Sequence, residues 1–453
     1  MNAPFVPPRP APPAEPPGLP AFLAAIRTNA IGVWGPEAYE REWVTGRAIR
    51  RPWILLNAPE AIQHVLVDQR TAYRRTPASI RILWPITGRG LLLAEGEAWR
   101  WQRRTIAPAF TPRAIRLLLP LMMEAASAAM PALAADASSG PVDLLAAMQH
   151  VALEVATRAM FSLDAARFAP DLRGELGRYA LRLARPTPLD LVLPPQLPTP
   201  RDLARLRFRR RFVRLMDAIV AARAGQSAVD APRDLFDLLR AARDPETGMA
   251  FTPAQLRDQI ATLIVAGHET TALALFWSLY LLASVPEVQE RAAAEVAAAD
   301  LSAEAVSTTL PRLELTAAVV NEALRLFPPA FTLVRQARAD DCAGGVTIPR
   351  GSVVMIAPWV LHRHRRLWRD PDAFIPERFL PDAPPPPRFA FLPFGAGPRV
   401  CIGAQFALAE ATLVLAAVLR RFRVARAEAR PVLPAPVITT YPDHAPGFLL
   451  RER

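Results

Sequence analysis

The sequence predicts a mainly α-helical fold with a small β-rich subdomain, arranged around one long central helix. Alanine- and leucine-rich segments with helical periodicity occupy most of the chain from 97 to 239. An apolar stretch with helix-start and helix-stop signals follows between 253 and 286. Short β-type runs become frequent only after Pro328. Helices that come first and strands that come late favour an α-dominant fold over alternating β and α units.

The composition is that of a globular protein with a large core. Its 453 residues are 51% hydrophobic and 21% charged, which excludes a disordered or collagen-like chain. A chain of this length buries about three quarters of its unfolded surface, so its core needs no disulfides or structural metals. With only two cysteines, Cys342 and Cys401, it is not a disulfide-stapled secreted scaffold.

All 54 basic residues are arginines, and against 42 acidic residues they give a net charge of +12. The absence of lysine, together with abundant alanine and proline, is typical of a biased genomic base composition and predicts a solvated basic surface. A basic face that docks an acidic protein partner is the alternative. Nucleic-acid binding is not expected, because no helix-turn-helix, zinc-finger or aromatic-interleaved basic motif is present.

The first 33 residues are predicted to be a proline-rich leader, and residues 34–453 a single domain. Prolines crowd residues 1–20, so this segment is expected to be extended and mobile. The apolar run at 21–26 is too short for a signal peptide or a membrane span. We therefore expect a cytoplasmic protein without a membrane span.

The central helix has a clear start and a clear end. Thr252 is the predicted N-cap, Pro253 occupies the first helical position, and Gln255 completes a capping box. Pro286 marks the end, which gives about 32 residues and a length of about 48 Å. The apolar part at 260–283 is long enough to cross a bilayer, but its histidine and glutamate would be costly there. A helix buried in the protein core is the preferred interpretation.

The other elements are placed by periodicity and by proline. Short β-like runs (PWILLN) and a helix pattern (PEAIQHVLVD) share residues 34–68, and a proline-rich loop covers 186–200. Later elements are predicted as helices near 287–299, 313–326 and 403–422, strands in TLVRQA, GVTIP and SVVMIA, a proline-rich coil at 368–398, and a β-like tail. No internal repeat is visible.

Cys401 lies in an irregular glycine-rich loop immediately before an apolar helix. A thiol at a helix N-terminus is stabilised as thiolate by the helix dipole and by nearby amides. Glycines at 395, 397 and 403 allow the backbone to approach a large flat ligand. A buried cysteine that only fills space is an alternative, whereas a nucleophile is disfavoured because no histidine lies at a local catalytic spacing.

The run Phe394, Gly397, Arg399, Cys401 and Gly403 resembles the F-x-x-G-x-R-x-C-x-G loop of the cytochrome P450 family. The resemblance implies the P450 fold and a haem b cofactor, with Cys401 as the thiolate ligand of the iron. It also implies that Phe394, Gly395 and Gly403 lie against the cofactor.

Residues 322–325 resemble the E-x-x-R pattern of the same family. Glu322 and Arg325 are three residues apart, so they share a helix face and can pair. Taken alone, such a pair is an ordinary surface interaction. The resemblance implies a structural role, with Arg325 reaching toward the coil that holds Arg378 in the PERF segment.

Residues 266–271 of the central helix resemble the family's oxygen-activation segment. A threonine hydroxyl can bond to a preceding carbonyl and form a notch, and a neighbouring carboxyl can pass protons into an apolar cavity. A buried polar cluster is the alternative. The resemblance implies Thr270 and Glu269 as the catalytic alcohol and acid, Ala266 as a cofactor contact, and His268 as a lining residue that does not bind iron.

The segment that begins at Trp99 resembles the family's W-x-x-x-R helix. Indole N–H and guanidinium groups suit the two propionates of a haem. The expected propionate contacts are Trp99, Arg103, Arg335 and Arg399, with His362 as a weaker candidate. Arg100 and Arg104 are expected to be surface charges that face a redox partner.

The resemblance implies a monooxygenase that inserts one oxygen atom from O2 into a hydrophobic small molecule. The sequence has no GxGxxG fingerprint and no four-cysteine cluster, so a separate ferredoxin and ferredoxin reductase are expected as electron donors to a monomeric enzyme. A peroxygenase or isomerase is the nearest rival, and a haem sensor belongs to a different class. Both rivals are disfavoured by the acid–alcohol pair.

The substrate is predicted only by class. The expected pocket is formed by mostly aliphatic segments, namely 80–93, 189–197, 329–334 and 437–441 with Leu263 and Ala266. Arg399 and the PERF segment favour the fatty-acid hydroxylase branch, while terpenes, steroids and alkanes stay open.

Overall fold

The computed structural model describes residues 3–15, 17–48, 51–162, 168–194, 196–224 and 232–453. Its α-helices are α1 (Leu19–Thr28), α2 (Pro59–Gln63), α3 (Pro77–Thr87), α4 (Gly96–Ile106), α5 (Pro112–Ser138), α6 (Leu144–Phe161), α7 (Ala169–Arg178), α8 (Pro188–Val192), α9 (Pro200–Ala224), α10 (Leu235–Ala241), α11 (Pro253–Ser284), α12 (Pro286–Ala297), α13 (Val306–Thr309), α14 (Glu314–Leu326), α15 (Pro358–Leu361) and α16 (Ala404–Arg421). The predicted α-dominant fold class is confirmed.

The strands fall into two sheets and one hairpin. They are β1 (Trp43–Ala48), β2 (Arg51–Leu56), β3 (Tyr73–Arg74), β4 (Val142–Asp143), β5 (Leu333–Ala337), β6 (Asp341–Ala343), β7 (Val346–Ile348), β8 (Val353–Ile356), β9 (Phe422–Arg426) and β10 (Gly447–Glu452). The larger sheet has the order β1-β2-β8-β5-β3, with β2 and β8 parallel and the other neighbours antiparallel. The second sheet is β4-β10-β9, and β6 pairs with β7. The strands predicted in TLVRQA, GVTIP and SVVMIA are β5, β7 and β8.

Helix α11 crosses the centre of the molecule as predicted. Its N-terminus has the complete capping box, in which the Thr252 hydroxyl accepts from the Gln255 amide and the Gln255 side chain accepts from the Thr252 amide. It ends two residues before Pro286, and α3, α6, α14 and α16 pack around it. Both α5 and α11 are long and apolar enough to cross a membrane, but at least half of the apolar part of each is buried inside the protein. These are therefore core helices.

Aromatic stacking joins α11 to Phe327, the residue that directly follows α14. The rings of Trp277 and Phe327 are stacked with centroids 3.9 Å apart, and both side chains are fully buried. The Trp277 indole N–H donates to the Thr440 carbonyl oxygen at 2.8 Å. This bond ties the loop between β9 and β10 (residues 427–446, the C-terminal loop) to α11. A buried indole needs such an acceptor. The C-terminal loop is thereby fixed over the middle of α11.

The leader differs from the mobile segment that was expected. Pro7 is buried, and the Phe5 carbonyl oxygen accepts from the Phe374 amide at 2.8 Å. The Arg9 guanidinium binds Asp372 at 2.9 Å and lies over the ring of Tyr39. The expectation was wrong because proline excludes helices and ladder bonds but leaves carbonyls and flanking side chains free to bind elsewhere. The division of the chain at residue 33 stays a prediction.

The proline-rich loop at 186–200 contains a short helix that the sequence did not indicate. Helix α8 begins with a capping box between Thr187 and Asp190. The buried Arg81 guanidinium of α3 donates to the carbonyl oxygens of Pro194 and Leu197, both at 2.7 Å. The two segments that were expected to line a substrate pocket are therefore joined by Arg81.

Candidate active site

The Cys401 loop is closed by its own backbone. The Cys401 amide donates to the Phe394 carbonyl oxygen at 2.9 Å, and a 3₁₀ turn forms at Gly397–Arg399 between them. Helix α16 begins three residues after the sulfur, at Ala404. The loop therefore presents the cysteine side chain at a helix N-terminus, as predicted from the glycines and the apolar helix.

Gly397 is required by the geometry of this loop. Its φ of 71° lies in the left-handed region, and a Cβ there would lie 2.4 Å from the Leu66 carbonyl oxygen. Any larger residue would push the loop off the segment that follows α2. Gly395 has a φ of 74°, and a Cβ placed on it would lie 3.8 Å from the Leu333 side chain.

The Cys401 side chain is exposed although its loop lies deep in the protein. Burial raises the pKa of the Cys401 thiol, while the Gly403 amide and the Arg103 guanidinium act in the opposite direction. Arg103 itself donates to the Val400 carbonyl oxygen at 2.8 Å. The sulfur thus has a cation and an amide as neighbours, which are the groups that stabilise a thiolate.

The middle of α11 has one exposed position. Between Leu256 and Ser284, all of which the structure describes, Ala266 is the one exposed residue. The Thr270 hydroxyl donates to the Ala266 carbonyl oxygen at 2.5 Å, as expected, and the helix continues without a break. Ala266 and Cys401 are thus both exposed although each lies in a largely buried part of the chain, so each borders a space that solvent can reach.

Three arginines, Arg75, Arg335 and Arg399, lie close enough to repel one another, and Glu95 is the acidic residue beside them. Burial, together with repulsion from Arg335 and Arg399, lowers the pKa of Arg75 to about 9. Burial and Arg399 also lower the pKa of Arg335 to about 10. Glu95 is the acidic residue that opposes these shifts, and it also binds the Arg75 amide and the Arg338 side chain. The Arg75 Nε atom is buried without a hydrogen-bond partner.

Trp99 and Arg399 lie together at the same place. The Arg399 guanidinium lies over the Trp99 ring, 4.6 Å from its centroid, and donates to the Ala94 carbonyl oxygen at 3.0 Å. Arg335 donates to the Val334 carbonyl oxygen at 3.0 Å. Of the four main residues predicted to bind propionates, Arg335 and Arg399 thus join the cationic cluster, Trp99 lies under Arg399, and Arg103 lies nearer the sulfur.

His362 does not belong to this cluster, contrary to the prediction. Its ring is fully buried, with Nδ1 3.1 Å from the Arg325 carbonyl oxygen and Nε2 accepting from the Leu392 amide at 2.8 Å. Burial and Arg325 lower the pKa of His362 to about 3, so the ring is neutral. Both nitrogens are occupied by backbone groups, and no edge of the ring is left for a propionate.

The carboxyl of Glu269 is buried and bonded to the C-terminal loop. The Thr439 hydroxyl donates to its Oε1 atom, and the Tyr441 hydroxyl is a second donor. Burial raises the pKa of Glu269, and these two hydrogen bonds partly offset that effect. Glu269, the acid predicted to act with Thr270, therefore lies directly before Thr270 in the chain, but its carboxyl is bonded to Thr439 and Tyr441.

His268 lies on another side of α11. Its Nε2 atom is 3.0 Å from the Gln149 carbonyl oxygen of α6, and burial lowers the pKa of His268 to about 4. A neutral ring committed to a backbone carbonyl is a structural group. The role of His268 as a lining residue that does not bind iron stays a prediction.

A second buried carboxyl lies on α16, nine residues after the cysteine. Glu410 is buried, and burial raises its pKa to about 8. Its Oε2 atom is 3.5 Å from the hydroxyl of Thr271, and its Oε1 atom has no partner. Helices α11 and α16 are thus joined by a polar contact directly beside Thr270.

The E-x-x-R pair lies inside the core. Both side chains are fully buried, and Arg325 binds Glu322 through two hydrogen bonds of 2.7 and 2.8 Å. Arg325 also donates to the carbonyl oxygens of Pro371 and Ala373 in the coil before the PERF segment. Arg378 lies 3.6 Å from Glu322 and donates to the Asp370 carbonyl oxygen. These contacts hold the coil that leads to the cysteine loop.

Both charges expected to face a partner are paired with acidic residues of the chain. Arg104 binds Asp244 at 2.9 Å and Glu246 at 3.0 Å, and it holds the pKa of Asp244 down at about 2. Arg100 is exposed and binds Glu97 one turn away. Arg104 is therefore a structural cation rather than a free surface charge.

Sequence reasoning missed three residues of this region. Arg75 follows the short strand β3 in the run YRRTP, and nothing local distinguishes it from its neighbour Arg74. Tyr441 was grouped with an aliphatic segment, and its hydroxyl role was not foreseen. Glu410 interrupts the apolar run of α16, and a charged residue on a helix that is otherwise buried was the available signal.

The residues present fit a haem. A cysteine near a cation and an amide suits a thiolate ligand, and the clustered guanidiniums, one with an unpartnered Nε atom, suit the two propionates. Ala266 is small and exposed in the otherwise buried middle of α11, which suits the face of a flat ring.

Comparisons with known proteins agree with this arrangement. A family model described as cytochrome P450 matches residues 41–442. Cyclooctatin synthase from Streptomyces melanosporofaciens is 35% identical over 396 residues, covering 85% of this chain and 83% of that protein. Cyclooctat-9-en-7-ol 5-monooxygenase from the same organism is 35% identical over 354 residues, covering 75% and 73%. The crystal structure of the cytochrome P450DA heme domain superimposes with a TM-score of 0.82 at 25% identity, covering 99% of this chain and 98% of that one.

Proposed function

This chain belongs to the cytochrome P450 family of monooxygenases, and on that premise we propose that it hydroxylates a hydrophobic, carbon-rich small molecule with haem b as its cofactor and a ferredoxin as its electron donor. The observation that supports this most is the exposed Cys401 side chain beside Arg103, with the unneutralised cluster of Arg75, Arg335 and Arg399 nearby. When bound, the haem supplies the reductive activation of O2.

The protein side of the reaction is binding, orientation and proton delivery. Cys401 provides the iron ligand, and Arg75, Arg335 and Arg399 neutralise the propionates. Thr270 places a hydroxyl one turn after the exposed Ala266 of α11, and Glu269, next to it in the chain, has a carboxyl whose pKa is raised by burial. A carboxyl with a raised pKa can both release and recover a proton near neutral pH. We assign Thr270 and Glu269 as the alcohol and the acid of proton delivery.

The substrate is proposed from the aliphatic character of the pocket segments and from the relatives. Leu263, Ala266, Leu333 and Val334 have no ionisable group, and Ile438, which belongs to another of the predicted pocket segments, is 38% exposed. Such a lining favours a molecule that is recognised by shape and apolar contact. One relative is named for an unsaturated cyclic alcohol, and we propose the same class, a cyclic terpenoid, ahead of fatty acids.

The electron donor is proposed from charge and position. Phe110 packs against Phe406 of α16, with ring centroids 6.5 Å apart, which places the start of α5 beside the helix that follows Cys401. Arg113 and Arg116 are exposed at that start. An acidic ferredoxin would be steered to such a surface. We further propose that the enzyme works as a monomer in the cytoplasm.

Isotopically labelled O2 tests the reaction. Purified enzyme with a ferredoxin, its reductase and a panel of cyclic terpenoids and fatty acids is expected to form a terpenoid alcohol that contains one labelled oxygen atom. An oxygen atom that comes from water, or products formed only from added peroxide, would contradict the proposal. A change of Thr270 to Ala distinguishes an enzyme from a haem sensor, because the variant is expected to retain haem and to lose product formation.

A further inference from the structure

The C-terminal loop supplies two hydroxyl groups to one buried carboxyl of α11. Thr439 donates to the Oε1 atom of Glu269, and Tyr441 donates to the same carboxyl. In the described part of the chain no arginine or histidine forms an ion pair with Glu269. Its hydrogen-bond donors are therefore the hydroxyls of this loop.

The hydroxyl of Tyr441 is fixed from both sides. The Gln149 side-chain amide of α6 donates to the Tyr441 oxygen at 3.3 Å, so the single proton of that hydroxyl is directed to Glu269. The Gln149 backbone carbonyl is in turn bonded to His268. Helices α6 and α11 and the loop thus share one hydrogen-bonded group around Glu269.

The loop is anchored so that these hydroxyls must face α11. Between them, Thr440 points the other way: its hydroxyl donates to the Pro328 carbonyl oxygen at 2.6 Å and its carbonyl accepts from the Trp277 indole. Thr440 is fully buried. The Tyr441 amide donates to the Thr439 carbonyl oxygen at 3.0 Å, and this tight turn around the anchored Thr440 holds Thr439 and Tyr441 close together, so that both hydroxyls reach Glu269.

We propose that Tyr441, together with Thr439, is a positioning residue for the reaction: the two hydroxyls fix the carboxyl of Glu269 in place and favour its ionised form. The inference rests on the proposed function, in which Glu269 is the acid of proton delivery. The same loop carries the exposed Ile438, which is predicted to line the substrate pocket. One segment of the chain would then both contact the substrate and bind the carboxyl of Glu269.

The experiment is an infrared titration of Glu269 in the resting ferric holoenzyme, with no substrate present. The carbonyl band that disappears in Glu269→Gln identifies the protonated acid. The variants Tyr441→Phe and Thr439→Val each remove one donor to the charged form, so each is expected to move this titration to higher pH. Tyr280→Phe is the matched control, because it removes a tyrosine hydroxyl from the same helix at a position eleven residues after Glu269, where it forms no hydrogen bond to that carboxyl.

The groups that face Glu269 are Thr439 and Tyr441 from the loop, with Gln149 of α6 behind Tyr441, and none of them is charged. A titration of Tyr441→Phe and Thr439→Val that coincides with the unaltered enzyme would overturn the proposal. Haem content and thermal unfolding of each variant check that it is folded, and each substitution is measured separately. Failure of oxygen insertion would leave the titration in place, so the two proposals fail separately.

Discussion

Glu322 and Arg325 form a bidentate ion pair in which neither side chain has any solvent exposure. The remaining guanidinium hydrogen bonds go to three backbone carbonyls, those of His362, Pro371 and Ala373. The Ile375 amide donates to the Glu322 carboxylate from the other side at 2.8 Å. One ion pair thus ties α14 to the coil that continues into the Cys401 loop.

Replacing Arg325 by Lys is expected to prevent stable folding. An ammonium group cannot replace a fork that serves one carboxylate and three carbonyls, and a buried carboxylate left without its partner costs about 3–5 kcal/mol. The measurement is haem content and the urea midpoint of the purified protein. Arg291→Lys is the control, since Arg291 pairs with Glu377 on the exposed surface. Equal effects of the two substitutions would contradict the assigned role of Arg325.

Arg75→Gln is expected to weaken haem retention without destabilising the fold. The guanidinium lies among like charges, with its pKa lowered to about 9, and its Nε atom has no protein partner. Losing a charged hydrogen bond to a propionate predicts about tenfold faster transfer of haem to a myoglobin apoprotein. Arg312→Gln, a change at an exposed position, is expected to have no effect. Unchanged transfer in Arg75→Gln would exclude this arginine from the site.

Glu410 is expected to make the protein less stable as pH rises. Its pKa in the folded state, about 8, is raised above the ordinary value of 4.5, so between these limits the folded state holds a proton that the unfolded state has lost. Stability therefore falls with increasing pH by up to about 1.4 kcal/mol per pH unit in this window. Glu410→Gln removes the effect. The difference between the urea midpoint of this variant and that of the unaltered enzyme should therefore increase steadily from pH 5 to about pH 8, in favour of the variant.

The matched control for Glu410 is Glu124→Gln, a change of the same kind at an exposed position of α5. Its midpoint is expected to follow that of the unaltered enzyme at every pH. If Glu410→Gln also followed it, the carboxyl would be ionised in the folded protein, and the contact with Thr271 would then be a bond to a charged group.

Arg113→Glu combined with Arg116→Glu is expected to weaken ferredoxin binding. Both arginines are exposed at the start of α5, beside the helix that follows the cysteine. The reversal removes attraction to an acidic partner and adds repulsion, so the dissociation constant should rise and should depend less steeply on salt. Arg350→Glu, on the turn before β8, is the control. A dissociation constant that does not respond to salt in the unaltered enzyme would exclude an electrostatic interface.

The sequence predicted those features that depend on residues close together in the chain. The start of α11 follows from Thr252, Pro253 and Gln255, which satisfy one another's hydrogen bonds locally. The Cys401 loop follows from its glycines and from the helix behind it. The pairing of Glu269 with Tyr441 could not be read in this way, because the two residues are far apart in sequence and a tyrosine in an apolar segment has many roles.

Two errors have the same origin. His362 was assigned to the cofactor because a histidine suits a propionate, but the fold places both of its ring nitrogens against backbone groups. The leader was expected to be mobile because prolines exclude helices, yet Arg9 finds Asp372 at 2.9 Å. In each case a contact across the fold decided the outcome, and composition carries no information about such contacts.

The spectrum of the dithionite-reduced protein with carbon monoxide shows whether Cys401 is the thiolate ligand of a haem. We expect the long-wavelength absorption band that is specific to thiolate-ligated haem, and its loss when Cys401 is replaced by His. A band at the shorter wavelength typical of histidine- or thiol-ligated haem in the unaltered protein, or no bound haem, would contradict this assignment.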